Sequence, residues 1–361
     1  MTKRHITYLA CATALVGAFA GAAPASAAHR TLVVHPGESI QKAVNAARPG
    51  DTVRVLAGTY HESVTLRTAA VTLRGAGPGT VIRPPAGAKA VPPAKGATPT
   101  CLGSGNGICV VGGKHKPLRD VTVADLKVTG FAKVGLWSMG TDHLTVTGVT
   151  ADDNGQWGIA QEHSTRGVFR RDTARRNGDA GLFLANSVKA EQGAQDSKGT
   201  VVDRTLLEGN RIGLTVRRLR NLTVRRNHVT GNCAGVFLVG DENKPRAGAL
   251  TVRANLVERN NKYCPKTARL PYLQGSGIVL TGTEQALISR NTVTGHSGKS
   301  PLSGGIVLFK SFVGATSERN RITGNHLSAN SPADLVNQEA AKSGNAFTRN
   351  SCRASRPAGL C

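Results

Sequence analysis

Aromatic residues, acidic residues and long apolar runs are all scarce in this chain of 361 residues. Phe, Trp and Tyr make up only 4% of it, so several aromatics on one face would be informative. Beyond the N-terminal leader no apolar run is long enough to span a membrane. Neither a C-x-x-C pair nor a paired-histidine spacing occurs, which argues against the common zinc sites. No strand pattern is followed by a helical period, which excludes alternating strands and helices around a parallel sheet.

Residues 1–27 have the pattern of a secretory signal peptide. Lys3 and Arg4 form a basic start, and an apolar stretch follows from Ile6 to Ala20. Ala25-Ser26-Ala27 is a small-residue cleavage site. The pattern predicts export, a secreted or extracellular location, and no membrane span in the mature chain.

An asparagine recurs in one sequence setting at intervals of about 22 to 25 residues, interrupted by insertions. A short apolar stretch and a basic or small pair precede it, and a glycine and a second apolar stretch follow it. Residues 222–232 are the cleanest copy. The recurring positions are Asn154, Asn177, Asn210, Asn232, Asn260, Asn325 and Asn350, with His296 in one further copy. A repeat of this length predicts a solenoid.

The repeats predict an all-β fold. The stretches after each glycine are short, rich in β-branched residues, and alternate with period two, as in Ile278 to Thr281. Asparagine tolerates a left-handed turn, and stacked asparagines hydrogen-bond along an axis. We therefore expect strand–turn coils that stack into a single-stranded parallel β-helix. A meander of hairpins joined by Asn-Gly turns is the alternative, and it would not keep this frame over so many copies.

The N-terminal segment supports the same architecture. Ser39 can cap a short helix whose Ile40, Val44 and Ala47 share one face and cover the first coil. Residues 31–82 and the later repeats resemble the right-handed parallel β-helix proteins of the pectin-lyase-like superfamily. After the leader at 1–27, we therefore expect a cap segment at 28–50 and a right-handed β-helix over 51–350. An insertion at 84–100 and a disulfide-tethered tail at 351–361 complete this division.

The superfamily resemblance implies a fold rather than an activity. The superfamily includes pectate and alginate lyases, polygalacturonases, uronan epimerases, phage tailspikes and proteins without known catalysis. Function therefore has to be argued from particular residues.

Cysteine usage predicts disulfides. Of seven cysteines, Cys11 lies in the leader, which leaves an even number for an oxidising compartment. Proximity in the sequence favours three local pairs, although other pairings stay open: Cys101–Cys109, Cys233–Cys264 and Cys352–Cys361.

A basic row is predicted on one face. The chain has 46 Lys and Arg against 22 Asp and Glu, a formal charge of +24. Five arginines share the frame position before the asparagine-type residue: Arg171, Arg204, Arg226, Arg290 and Arg319. Stacked coils would align them, and the row would repel itself unless an anion or solvent screened it. It is either a solvated face or a site for an acidic polysaccharide or cell-wall polymer, and the chain has no nucleic-acid-binding motif.

Candidate catalytic residues lie in residues 140–180, where six of the 22 acids are concentrated. We select Asp152, Asp153, His163 and Arg170, because a lyase needs a base and a cation beside a uronate. The carboxylates make Ca²⁺ the one candidate cofactor. Asp152-Asp153 resembles the adjacent aspartates of polygalacturonases, but the Gly-His-Gly and Arg-x-Lys of that family are missing, as is the Asp-Pro-His-Asp of uronan epimerases. Turn formation is the alternative role for these aspartates.

A second candidate binding surface is the outward side of the strands that follow the glycines. It would carry Trp137, Phe183, Phe237 and Phe309, of which Trp137 and Phe183 are candidate sugar contacts. The alternative, which we favour, is that the loop at 84–100 or the C-terminal tail covers these rings. On the inward side, Ser138 and Gln161 replace apolar residues, and we expect them to be neighbours in adjacent coils.

Two functions remain open at this level. One is an exported enzyme, a lyase or epimerase acting on an acidic polysaccharide. The other is a non-catalytic protein that binds cell-wall or other glycans through the arginine row and the aromatic face.

Overall fold

The structure is a computed structural model that describes residues 29–87, 101–113, 116–188 and 192–361. It is a right-handed parallel β-helix built of three long parallel sheets, as predicted. The predicted leader and most of the predicted insertion at 84–100 lie outside the described residues.

We name the three sheets A, B and C in the order in which one coil crosses them. In the described residues sheet A has 12 strands, and each pairs in parallel with its neighbour in the next coil. They are Thr31–Val34, Thr52–Val55, Thr72–Arg74, Thr122–Ala124, Thr145–Thr147, Val168–Arg170, Gln195–Asp203, Leu219–Arg225, Thr251–Arg253, Leu287–Ser289, Arg321–Thr323 and Ala346–Thr348.

Sheet B has 10 strands within the described residues. They are Gly58–His61, Thr80–Arg83, Lys127–Thr129, Thr150–Asp152, Thr173–Arg175, Leu206–Glu208, His228–Thr230, Leu256–Glu258, Thr292–Thr294 and His326–Ser328.

Sheet C has 11 described strands, most of them longer than those of sheet B. They are Val64–Leu66, Ile108–Val111, Val134–Met139, Trp157–Glu162, Ala180–Ala185, Ile212–Arg217, Ala234–Val239, Ser276–Thr281, Gly304–Leu308, Leu335–Asn337 and Ser355–Arg356. A short parallel pair joins Leu118–Arg119 to Thr141–Asp142, and one turn of 3-10 helix covers Ala341–Ser343.

The core is a column of apolar side chains inside the three sheets. In sheet A the inward column includes Val202, Val224 and Val252 of consecutive coils. These positions are fully buried, and one continuous cluster runs from Val34 to Leu335. Because each strand carries only one or two inward residues, stability depends on stacking coils rather than on any single coil.

The N-terminal cap is as predicted. Helix α1 covers Ile40–Ala46, and the Ser39 side chain accepts a hydrogen bond from the Lys42 amide. Ile40 and Val44 are buried against the first coil. The Glu62 carboxylate accepts from the amides of Ile40 and Gln41, so a residue of the first coil satisfies free amides at the start of the helix.

The recurring asparagines form buried ladders, but they belong to two columns rather than one. At the corner between sheets B and C each side chain bonds the next along the axis, in the order Asn154, Asn177, Asn210, Asn232, Asn260, His296 and Asn330. At the corner between sheets A and B the ladder is Asn227, Asn255, Asn291, Asn325 and Asn350. The single column that contained Asn325 and Asn350 was therefore wrong after His296, because these two residues lie at the corner between sheets A and B.

The left-handed turn residue is also not the asparagine. It is the residue before it, as at Arg226 and Asp153, both with φ 54°. The asparagine is buried behind this turn, where its amide continues the ladder. The expectation that asparagine itself adopts the left-handed conformation was therefore wrong.

The three predicted disulfides are present: Cys101–Cys109, Cys233–Cys264 and Cys352–Cys361. The C-terminal tail also adds the strand Ser355–Arg356 to sheet C. In the described part of the chain, no helix has the length and apolar character needed to cross a membrane.

Ser138 and Gln161 lie opposite each other on neighbouring strands of sheet C, and both are buried. The Ser138 hydroxyl donates to the Ala160 carbonyl at 3.1 Å. The prediction that they are neighbours in adjacent coils is confirmed.

Candidate functional site

Four of the five predicted arginines occupy one corner of the solenoid. Arg171, Arg204, Arg226 and Arg290 follow sheet A strands that pair in register, and Ala254 takes this position in the coil between the last two. All four side chains are exposed. We call these four residues the arginine ladder.

Arg319 does not belong to the ladder, so its assignment to the row was wrong. It follows Glu318 at the corner before sheet A, and Gly324 takes the ladder position in its coil. Its guanidinium pairs with Glu284 at 2.9 Å and Glu318 at 3.0 Å. The error arises because Arg319 also precedes an asparagine, but Asn320 lies at the corner between sheets C and A, where it bonds Asn345.

Most of the ladder is not neutralised. In the described chain Arg171, Arg204 and Arg290 make no ion pair, and neither does Arg253, whose strand position adjoins Ala254. Their left-handed backbones, with φ between 53° and 55° for the three ladder members, direct the side chains outward from the corner. Coils stack about 4.8 Å apart, so the free guanidinium groups form an axial array of positive charge.

One buried carboxylate lies in the column beside this array. Asp203 is only 1% exposed and replaces arginine in the outward sheet A column between Arg170 and Arg225. Its Oδ1 lies 2.7 Å from Arg226 Nη2 and 3.4 Å from Arg225 Nε, and its Oδ2 lies 3.6 Å from Arg170 Nε. Arg226, in the middle of the ladder, is therefore neutralised by Asp203 and needs no external anion.

Asp152 and Asp153 lie at the end of a sheet B strand and are both in ion pairs. Asp152 is buried, 3.1 Å from Lys127 Nζ. Asp153 is the left-handed turn residue and binds Arg176 through two hydrogen bonds of 2.8 and 2.9 Å. The Arg176 hydrogen bond lowers the pKa of Asp153 below its ordinary value. This geometry matches the alternative role of these aspartates in a turn.

The other two candidate catalytic residues lie elsewhere on the coil. His163 follows a sheet C strand at the corner before sheet A, where it is exposed with φ 47°. Arg170 ends a sheet A strand beside Asp203. The four candidates are therefore spread over all three sheets, and their catalytic role stays a prediction.

The acid-rich segment at 140–180 does not form a carboxylate cluster, because a coil of this length crosses three sheets. Asp142 is held by Arg166 through hydrogen bonds of 2.7 and 2.6 Å, which lower the pKa of Asp142. Glu162 accepts from Trp137 Nε1, and Asp179 accepts from Trp157 Nε1, each at 3.0 Å.

The aromatic face is mostly covered, as favoured from the sequence, although the loop at 261–275, rather than the C-terminal tail, covers Phe237. Phe183 is 7% exposed and stacks on Trp157, with ring centroids 4.1 Å apart. Phe237 and Phe309 are buried under the loop at 261–275 and the segment around Leu302. Phe183 therefore offers little surface to a sugar, while Trp137 is half-buried.

Two features were missed at the sequence level. Asp203 could have been found from the sequence, because in the repeat frame it replaces arginine in the column of Arg170 and Arg225. The loop at 261–275 could not be found from the repeat pattern, because it is an insertion. It carries two of the chain's four tyrosines.

Comparisons with known proteins agree on the fold. A family profile described as a right-handed beta helix region matches residues 100–255, and one described as periplasmic copper-binding protein (NosD) matches residues 186–356. In the described ranges no three or more His, Cys, Asp or Glu side chains are placed to hold one metal ion. No curated protein sequence is significantly similar to this chain.

Solved structures with this fold cover most of the chain. The A-module of mannuronan C-5 epimerase AlgE6 from Azotobacter vinelandii has 18% identity, covers 88% of this chain and 90% of its own, and gives a TM-score of 0.58. An alginate lyase from Paenibacillus sp. str. FPU-7 has 17% identity, with coverage of 86% and 98% and a TM-score of 0.54. The catalytic domain of a GH87 alpha-1,3-glucanase has 12% identity, with coverage of 92% and 66% and a TM-score of 0.51.

At these identities the likeness is one of fold. Together with the family profiles and the three stacked sheets, it shows that the chain has the right-handed parallel β-helix fold, the fold of the pectin-lyase-like superfamily that its sequence resembles.

Proposed function

We propose that this protein binds an acidic polysaccharide along the arginine ladder, outside the cytoplasm. The observation that carries the proposal is the axial array of exposed guanidinium groups at one corner. In the described chain three of the four ladder members, with the adjacent Arg253, have no acidic partner.

The array suits an extended polyanion better than a small anion. A planar guanidinium grips a carboxylate or sulfate with two donors, and its charge persists at any physiological pH. Repetition at the coil spacing of about 4.8 Å offers one cation after another to a chain that runs along the solenoid axis. A compact anion would contact only one or two of them.

The comparisons and the sequence support the same ligand class and location. The names of the similar structures refer to mannuronan, alginate and a glucan, all polysaccharides. The signal-peptide pattern of residues 1–27 and the three disulfides favour an oxidising, exported setting. The positive net charge favours an acidic polymer among the polysaccharides.

The binding test removes the free charges of the ladder. The variant Arg171→Gln/Arg204→Gln/Arg290→Gln should bind a polyuronate about tenfold more weakly, since exposed pairs contribute about 0.5 kcal/mol each. Its affinity should also fall less steeply with salt. The matched control, Arg54→Gln/Arg67→Gln/Arg83→Gln, removes the same charge from exposed arginines of the N-terminal coils. Equal losses of affinity in the two variants would indicate that the ladder is a solvated surface with no specific role in binding.

Catalysis is a separate question that one assay addresses. Incubation with a panel of polyuronates, with absorbance followed for the unsaturated product of β-elimination, tests a lyase role for Asp152, Asp153, His163 and Arg170. Epimerisation would appear instead as altered proton spectra of the polymer without chain cleavage. A protein that binds and does neither is the non-catalytic binder.

A further inference from the structure

The loop at 261–275 projects from the corner between sheets B and C. It leaves the solenoid after the strand Leu256–Glu258 and returns at Ser276–Thr281. The disulfide Cys233–Cys264 fixes its first half to the coil below. Cys264 and Leu273 exchange two backbone hydrogen bonds of 3.0 and 2.9 Å, so the loop is a closed hairpin rather than a free strand of chain.

The underside of the loop is anchored to the solenoid. The Arg211 Nη1 atom donates to the Pro265 carbonyl at 2.7 Å, and Lys262 Nζ donates to the Gly209 carbonyl at 2.8 Å. Leu273 is fully buried in the cluster that covers Phe237. These contacts leave the opposite side of the loop to solvent and fix its orientation.

Two tyrosines lie on this fixed loop. Tyr263 is 60% exposed, and its ring centroid lies 5.8 Å from that of Tyr272, with a tilt of 33°. The Tyr272 hydroxyl donates to the Lys299 carbonyl, which holds the second ring against a neighbouring coil. In a chain with 4% aromatic residues, Tyr263 has no core role, because its ring is not packed in either cluster beneath it.

The loop that carries the tyrosines has basic residues and no acidic ones. Lys262, Lys266, Arg269 and the neighbouring Lys299 are exposed, and residues 259–283 contain no acid. Among the described residues Lys266, Arg269 and Lys299 make no ion pair. A rigid aromatic pair on a loop with free cations and no acid fits a ligand that has both flat apolar faces and negative groups.

We propose that Tyr263 and Tyr272 form a sugar-stacking platform on which Lys266, Arg269 and Lys299 pair with the acidic groups of the same glycan. The pyranose ring presents a C–H face to an aromatic ring, and its carboxylate or sulfate lies at the rim, within reach of flanking cations. This inference rests on the proposed function, because it assigns a second contact surface to the same acidic polysaccharide. Sheet B separates the platform from the arginine ladder, so each surface can be removed without the other.

Bases of single-stranded nucleic acid also stack on aromatic side chains within basic surfaces. The disulfides favour the glycan, since they place the loop in an oxidising compartment. An oligothymidylate is therefore included as a competing probe.

The test compares Tyr263→Ala with two matched variants. Tyr263→Phe keeps the ring, and Phe312→Ala removes an aromatic side chain that is 64% exposed on a different loop. Isothermal titration with short oligogalacturonates should show about tenfold weaker binding for Tyr263→Ala and unchanged binding for the other two. Thermal melting should be unchanged in all three, because both rings are exposed.

The outcomes separate the two proposals. Wild-type affinity of Tyr263→Ala, combined with loss of binding in the ladder variant, would overturn the platform and leave the ladder standing. A loss confined to oligothymidylate would overturn the glycan assignment. If the wild type bound no acidic oligosaccharide, the proposed function would be wrong. Binding of a neutral oligosaccharide that depends on Tyr263 would then still support a sugar-binding role for the platform. If no such binding occurred either, both proposals would be overturned.

Discussion

The Nε2 atom of His296 lies 3.0 Å from the Nδ2 atom of Asn260 inside the solenoid. An asparagine Nδ2 can only donate, so Nε2 of the imidazole is the acceptor. The other ring nitrogen, Nδ1, then carries the proton and donates to Asn330 Oδ1 at 2.9 Å. His296 thus continues the asparagine ladder only as the neutral tautomer with its proton on Nδ1.

The first prediction concerns the pH dependence of stability at His296. Burial lowers the pKa of His296 to about 4, against an ordinary value of about 6.5 in the unfolded chain. Between these values the unfolded state binds the extra proton, so the stability present above pH 6.5 is lost as the pH falls toward 4. The loss amounts to about 3 kcal/mol.

His296→Asn should remove this loss, because an asparagine continues the ladder without titrating. Thermal melts followed by tryptophan fluorescence between pH 4 and 7 would measure it. The midpoint of the variant should vary less with pH than that of the wild type. The exposed His163→Asn is the control, and parallel curves for wild type and His296→Asn would contradict the prediction.

The second prediction has the opposite sign and concerns Asp172. This buried residue occupies an asparagine position at the corner between sheets A and B, where its Oδ1 accepts from the Val149 amide at 2.9 Å. Its Oδ2 has no hydrogen-bond partner among the described residues, whereas Asn227 in the same ladder uses its Nδ2 to reach the Val202 carbonyl. Burial raises the pKa of Asp172 well above its ordinary value.

The protonated carboxyl of Asp172 is therefore favoured in the folded state. Its contribution to the free energy of unfolding is complete below about pH 3.9 and is lost as the pH rises through the pKa of the folded state. Asp172→Asn supplies the missing donor and should stabilise the protein at pH 7 by about 1–3 kcal/mol. Its advantage should shrink as the pH falls. Chemical denaturation at pH 7 and pH 4 would measure both values, and a destabilised variant at pH 7 would refute the argument.

The architecture was predictable because its signals are local and repeated. The period-two alternation after each glycine, the Ser39 cap and the cysteine proximity each depend on residues close in sequence. They predict parallel coils, a short helix near 40–47 and the three disulfides, and the structure contains the coils, the disulfides and a helix over Ile40–Ala46. The corner register failed after His296, because two asparagine columns with similar neighbours run through the same repeat.

The site was predictable only in part, because a solenoid separates residues that are close in sequence and joins residues one coil apart. Arg171, Arg204, Arg226 and Arg290 recur at the coil spacing, so the repeat aligns them. The acids at 140–180 are near one another in sequence and therefore lie on different sheets. The loop at 261–275 follows no period, so its tyrosines could be placed only with the structure.

The third prediction concerns the disulfide that anchors that loop. Cys233→Ser/Cys264→Ser should destabilise the protein by about 3 kcal/mol, because the bond closes a segment with a sequence separation of 31. Lifting the loop would also uncover the cluster around Phe237 and Leu273, so binding of a hydrophobic dye should rise. Cys352→Ser/Cys361→Ser, with a separation of 9, is the control and should show a smaller effect on both measurements. Equal dye binding in the two variants would argue that the loop stays closed without its bond.

The last prediction tests whether Asp203 limits the charge of the arginine ladder. Asp203→Asn removes a buried carboxylate from among Arg170, Arg225 and Arg226, so their guanidinium groups lose a partner. Stability should fall by about 1–3 kcal/mol, less than for a fully buried pair, because the three arginines are partly exposed. The same change leaves the corner more positive, so affinity for a polyuronate should rise and depend more steeply on salt. Glu208→Gln makes the same charge change on the neighbouring sheet B, where Glu208 pairs with Arg175 at 3.0 Å, and it should leave the affinity near that of the wild type. Denaturation curves measure the stability, and polyuronate titrations at two salt concentrations measure the affinity. An Asp203→Asn variant with unchanged stability and unchanged affinity would show that Asp203 neither stabilises the corner nor limits its charge.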